Sequence, residues 1–134
     1  MRNGAQRYRD IADTTRSARQ TEIAAFALVI RDLEDANQPN APTTLRIAAL
    51  GRAHDLWSLL VRDLARDGNG LPQTLKTQLV DLGLWAMRYS TLAILKDLPL
   101  SPLIEVCQNV LDGLRAQPVP ITTNQNAKSY APLA

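Results

Sequence analysis

Apolar residues recur at three- and four-residue intervals along most of the chain, the spacing that places side chains on one face of an α-helix. Short stretches rich in proline, glycine and asparagine separate four such segments. No segment alternates apolar and polar residues over a length that would predict a β-strand. The pattern therefore predicts an all-α, single-domain fold: four helices with short connections, arranged as antiparallel neighbours in a bundle.

The breaks in this pattern set the expected helix bounds, at about residues 14–36, 43–67, 72–96 and 101–115. We expect the first helix to begin between Asp13 and Ser17. Thr43 or Ala41 is the predicted cap of the second helix. Pro72 fits the first turn of the third helix, and Ser101 is the expected N-cap of the fourth.

Three of the four predicted helices carry a distinct stripe of core residues. The stripes are Ile23, Phe26, Ala27, Ile30 and Leu33 in the first helix, Ile47, Leu50, Ala53, Trp57, Leu60 and Leu64 in the second, and Leu103, Cys107, Val110, Leu111 and Leu114 in the fourth. Leu28 falls outside its stripe and is either a scattered surface leucine or part of a contact surface. The third helix is apolar over most of its circumference, so it is either the central helix of the bundle or a helix covered by a partner.

Two tryptophans have different predicted environments. Trp57 falls within the core stripe of the second helix. Trp85 falls in the polar arc of the third helix, near Asp81 and Arg88. Its ring either folds over a neighbouring helix or forms an exposed anchor for another protein, because tryptophan is enriched at binding hot spots.

The two ends of the chain differ from the helical domain over residues 14–115. Residues 1–13 are expected to form a loose arm, and five arginines face two aspartates in the first nineteen residues. Such a basic segment is either a solvated leader or a contact for nucleic acid or an acidic partner. Residues 116–134 contain prolines and a run of threonine, asparagine and glutamine, which predicts a mostly disordered tail.

Composition narrows the class of protein. The chain has 134 residues, of which 46% are hydrophobic and 21% charged, values that are ordinary for one globular domain. No apolar run reaches the length of a membrane span, and the N-terminus lacks the apolar core of a secretory signal. The single cysteine, Cys107, offers neither a disulfide nor a metal-ligand pair. These features predict a cytoplasmic protein that does not enter a membrane.

A search for catalytic chemistry finds no convincing constellation. His54 is the only histidine, and Ser58 one turn later lacks the third orienting group of a nucleophilic site. The glycines around Asn69 lack the spacing of a phosphate-binding loop. We therefore expect no enzyme activity, cofactor or metal site.

Several motifs, in this order, resemble the flagellar regulator FlaF of alphaproteobacteria. They include Ser17–Glu22, Asp32–Ala36, Leu56-Trp57, Asn69–Pro72, Leu82–Trp85 and Leu103–Val106, with Gly113–Arg115 at the end. The resemblance covers roughly residues 8–115. Two places depart from the family pattern, where Ala53–Asp55 and Cys107-Gln108 stand in place of asparagine and arginine.

The resemblance implies a cytoplasmic secretion chaperone that binds flagellin before export and couples its synthesis to filament assembly, together with a second regulator, FlbT. We expect a groove formed by helices one to three. Its anchors would be Trp57, Leu84 and Trp85, and its rim would be Arg52, Asp81 and Arg88. The alternative is a regulator that acts mainly on another protein or on flagellin mRNA through the basic arm, although a nucleic-acid partner is the less expected one.

Overall fold

The computed structural model describes residues 4–116, except for the side chains of Tyr8 and of residues 11–17. This part of the chain forms four α-helices: α1 (Gly4–Ala36), α2 (Thr43–Ala65), α3 (Gln73–Lys96) and α4 (Ser101–Ala116). The all-α, bundle-like prediction is confirmed. Most of the predicted tail, residues 117–134, lies outside the described residues, and so do residues 1–3 of the predicted arm.

The first helix begins earlier than expected, at Gly4 instead of between Asp13 and Ser17. Residues of the expected arm such as Ala5, Gln6 and Arg7 favour helix by intrinsic propensity, so the backbone continues as helix without an apolar stripe to bury. The side chains of residues 4–7 and Arg9 are exposed. This exposure fits an arm that is loosely attached to the bundle.

Prolines mark the starts of the two middle helices. The N-cap of α2 is Pro42, with no side-chain capping bond, so the expectation that Thr43 or Ala41 caps this helix was wrong. Pro72 is the N-cap of α3, one position before its first turn. The fourth helix begins at Ser101, and the Ile104 N–H donates to the Leu100 carbonyl. Leu100 therefore holds the N-cap position, and the expectation that Ser101 holds it was wrong.

The helices pack as a chain of neighbours. The most extensive contact joins α2 to α3, while α1 packs against both α2 and α4, and α3 touches α4 only slightly. Of the two expectations for α3, the central position is therefore wrong. One side of α3 lies against α2, and Leu84 and Leu95 on the opposite side are exposed.

The main core forms where α1, α2 and α4 meet, and Ala86 and Ala93 of α3 also belong to it. Its largest fully buried side chains are Trp57, Phe26, Leu33, Leu50, Leu100 and Leu103. The predicted stripes account for most of it, with some exceptions. Val29 is buried although it lay outside the expected stripe of α1, whereas Ile47 of the expected α2 stripe is exposed. Leu28 is exposed, as expected.

Arg46 of α2 binds the backbone of the segment that connects α3 to α4. The Arg46 guanidinium donates to the carbonyls of Ala93, at 3.0 Å, and Leu98, and it pairs with Asp97 at 3.4 Å. Asp97 ends α3 in the left-handed conformation, with φ of 56°. The Ala93 carbonyl also accepts from the Asp97 backbone N–H, so Arg46 adds a second donor there and supplies one to the Leu98 carbonyl just beyond the end of α3.

Within residues 4–116, no helix is long and apolar enough to cross a membrane.

Candidate functional site

The side of α3 that faces away from α2 presents apolar side chains to solvent. Leu84 and Leu95 are 46% and 73% exposed, values that are high for large apolar residues. Together with half-buried Val80 and Met87 they recur at three-, four- and eight-residue intervals, so they share one face of the helix. We call this set, Val80, Leu84, Met87 and Leu95, the outer face of α3.

Two predicted rim residues border the outer face. Asp81 lies one turn before Leu84 and Arg88 one turn after it, and both side chains are exposed. The structure therefore brings Leu84, Asp81 and Arg88 together on one surface. Opposite charges two turns apart along one edge of an apolar strip can fix the direction and register of a helix that binds there.

Trp85 occupies an intermediate position at the edge of this surface. Its ring is half-buried against the core and stacks on Tyr89, with ring centroids 5.0 Å apart and an interplanar angle of 30°. The Tyr89 hydroxyl donates to the Pro99 carbonyl at 2.6 Å. The stack and this hydrogen bond thus connect α3 to the segment before α4. A binding role for Trp85 stays a prediction.

Trp57 lies inside the molecule, so its predicted place among the surface anchors needs correction. The side chain is fully buried and meets Phe26 edge-to-face, with ring centroids 5.4 Å apart. Its indole N–H donates to Cys107 Sγ at 3.4 Å. Trp57 therefore shapes the core and does not present a surface to a partner.

Arg52 is separated from the other predicted residues. Its Nε donates to the Asp32 carboxylate at 2.7 Å, which places Arg52 at the junction of α1 and α2. The structure therefore does not bring Arg52 together with Leu84, Asp81 and Arg88 in one groove. The sequence did not show this because a helical wheel gives the direction of each side chain but not which helices are neighbours.

The groups with potential chemistry among the described residues are metal-ligating side chains, the Cys107 thiol and the lining of one surface depression. No group of three or more metal-ligating side chains occurs among them. Burial raises the pKa of the Cys107 thiol to about 11, which disfavours the reactive thiolate. An open depression of about 460 Å³ beside the α2–α3 turn is lined by polar groups such as Arg66, Asp67 and Lys76. These side chains point to no particular reaction.

The geometry thus defines a small helical protein with exposed apolar side chains along one face of α3. Comparison with protein families identifies its family: the family model described as flagellar protein FlaF matches residues 4–114. Because the match covers most of the chain, the protein belongs to the FlaF family and is related to the bacterial flagellum. No curated protein and no solved structure matches the chain.

Proposed function

We propose that this protein binds flagellin in the cytoplasm as a secretion chaperone, and that it couples flagellin synthesis to filament assembly together with the regulator FlbT. Membership of the FlaF family supports the flagellar part of this proposal. The observation that carries the binding part is the outer face of α3, where Leu84 and Leu95 are exposed on a helix that packs on one main neighbour.

The outer face has the features of a site for an amphipathic helix. Such a helix binds by placing apolar residues, spaced three and four apart, against a complementary apolar strip. Burying one leucine side chain is worth about 1.5–3 kcal/mol, so two leucines and a methionine supply the core of a small interface. Flagellin subunits polymerise through long terminal helices, and covering one of these would prevent premature assembly.

The test is co-purification of flagellin with the full-length chain from cells that make flagellin. We expect the unaltered chain to retain flagellin, and Leu84→Glu and Leu95→Glu each to lose most of it, since a buried unpaired carboxylate is strongly unfavourable. Leu28→Glu is the matched control, because Leu28 is also about half exposed but lies on α1. Circular dichroism must show that all three variants remain folded.

Retention of flagellin by both folded α3 variants would contradict a role for the outer face. Failure of the unaltered chain to retain any flagellin would contradict the chaperone function itself.

A further inference from the structure

The side chains along the outer face of α3 are arranged symmetrically about Leu84. Val80 and Met87, both half-buried, lie one turn to either side of Leu84 along one edge of the face. Asp81 and Arg88, both exposed, lie one turn to either side of it along the other edge. The two halves of the face therefore match in size and polarity, and they carry opposite charges.

Two threonines extend this symmetry by one more turn. Thr77 and Thr91 are exposed and lie seven residues before and after Leu84. With the apolar residues between them, they follow the alternating spacing of four and three residues by which one helix packs along another. The Thr77 hydroxyl donates to the Gln73 carbonyl at 3.0 Å, and the Thr91 hydroxyl donates to the Met87 carbonyl at 3.2 Å. A second helix can therefore cover both threonines without leaving their hydroxyl donors unpaired.

The charges beside this strip have no partner within the described residues. Neither the Asp81 carboxylate nor the Arg88 guanidinium forms an ion pair or a hydrogen bond there, whereas Arg52 and Arg66 are paired. Asp81 and Arg88 are seven residues apart, about 10.5 Å along the helix, which is too far for them to pair with each other. Both charges are therefore available to a second molecule.

We propose that the outer face of α3 pairs with the same face of a second copy of this chain, as an antiparallel homodimer that forms when flagellin is absent. The two-fold axis lies perpendicular to both helices at the level of Leu84. It reverses the direction of α3 but keeps each edge on the same side of the pair. Leu84 then meets its own copy, Val80 faces Met87 of the second copy, and Asp81 faces Arg88 of the second copy, as a self-complementary interface requires.

The charges select this occupant and this orientation. In a parallel pair, Asp81 would stand level with Asp81 of the second copy and Arg88 with Arg88, and like charges at one level repel. In the antiparallel pair, each acid stands level with a base on both sides of the axis. A partner must therefore present a base and an acid two turns apart beside an apolar strip, and a second copy meets this requirement through its own sequence.

The dimer would regulate the site proposed for flagellin, because both occupants use the same side chains. This consequence rests on the proposed function, whereas the dimer itself does not. In the dimer, Leu84 and Met87 are covered by the second copy. Flagellin must displace that copy in order to bind, so its apparent affinity should fall as the concentration of the chain rises.

Sedimentation velocity of the full-length chain without flagellin, from about 1 to 100 µM, tests the dimer. We expect a dimer at the upper end of this range. Leu84→Glu should be monomeric throughout, because the substitution places two carboxylates in contact at the axis. Leu28→Glu, a change of the same kind at an exposed leucine of α1, should dimerise like the unaltered chain. A chain that stays monomeric at the highest concentration would overturn the proposal.

A mixing experiment tests the charge arrangement more sharply. Asp81→Arg and Arg88→Asp should each weaken the dimer by at least about tenfold, while Asp35→Arg, at an exposed position of α1, should leave it unchanged. An equimolar mixture of the first two variants should recover most of the loss, because one copy then contributes only arginines and the other only aspartates. A mixture no tighter than either variant alone would contradict the two-fold arrangement.

Leu95→Glu and added flagellin separate this proposal from the proposed function. Leu95 is eleven residues from Leu84, about 16 Å from the axis, so Leu95→Glu should keep the dimer although it should lose flagellin. Purified flagellin added to the unaltered dimer should yield complexes that contain one copy of the chain. A flagellin complex that retains the dimer would contradict a shared face. A dimer with the expected charge dependence that binds no flagellin would contradict the proposed function alone.

Discussion

Replacing Gly83 with alanine is a sensitive test of how α3 sits on α2. A Cβ atom at position 83 would lie 2.5 Å from Val61 Cγ2 and 3.2 Å from Trp57 Cε3. Carbon atoms in contact normally stand about 3.5–4.0 Å apart, so the neighbours would have to move by about 1 Å. Neither can do so easily, because valine has a stiff side chain and Trp57 is fully buried.

Two effects of opposite sign decide the stability of this variant. Overpacking a core contact costs about 1–3 kcal/mol. Alanine is favoured over glycine within a helix by about 1 kcal/mol. The clash at 2.5 Å involves a short, rigid side chain, so we expect overpacking to prevail. The net result should be a loss of about 1 kcal/mol in the free energy of unfolding.

Gly51 provides the matched control, since it also lies within a helix but a Cβ there would meet nothing within 4 Å. Gly51→Ala should therefore gain about 1 kcal/mol. The two variants should differ by about 2 kcal/mol in urea unfolding followed by circular dichroism at one protein concentration. A Gly83→Ala variant as stable as Gly51→Ala would refute the close contact between α2 and α3.

Two further predictions concern buried polar groups. Arg46→Ala should cost about 1–3 kcal/mol in urea unfolding because it removes the donor to the Leu98 carbonyl and one of the two donors to the Ala93 carbonyl. Arg66→Ala, which removes an exposed ion pair, should cost less than about 1 kcal/mol, and equal losses would contradict the role of Arg46 at the end of α3. The Cys107 thiol should resist a thiol reagent at pH 8 in the folded protein. Burial raises its pKa from 9.0 to about 11, so the free energy of unfolding should fall as pH rises through that interval. Rapid labelling of the native protein would show that Cys107 is not buried as described.

The sequence predicted the four helices because each segment has an apolar period of its own. The stripe positions Phe26, Leu50 and Leu103 are buried, and Leu28, outside its stripe, is exposed. The early start of α1 was missed because residues 4–13 show helix propensity without an apolar stripe. Propensity alone is a weaker signal than periodicity.

The candidate site was predicted only in part, because it depends on which helices are neighbours. The apolar character of α3 indicated either a central helix or a covered one, and only the packing showed that Leu84 and Leu95 face outward. The hydrogen bond from Trp57 to Cys107 joins positions fifty residues apart. No local pattern reveals such a contact. The apolar stripe of α2 did indicate correctly that Trp57 is a core residue, and only its place among the anchors of the groove was wrong.

The measurement that tests the central claim most directly is the affinity of purified flagellin for the full-length chain and for its Leu84→Glu variant, by isothermal titration calorimetry. We predict a saturable complex with the unaltered chain and a loss of at least about tenfold for Leu84→Glu, with Leu28→Glu unchanged. Equal affinity of the unaltered chain and the folded Leu84→Glu variant would contradict binding through the outer face of α3.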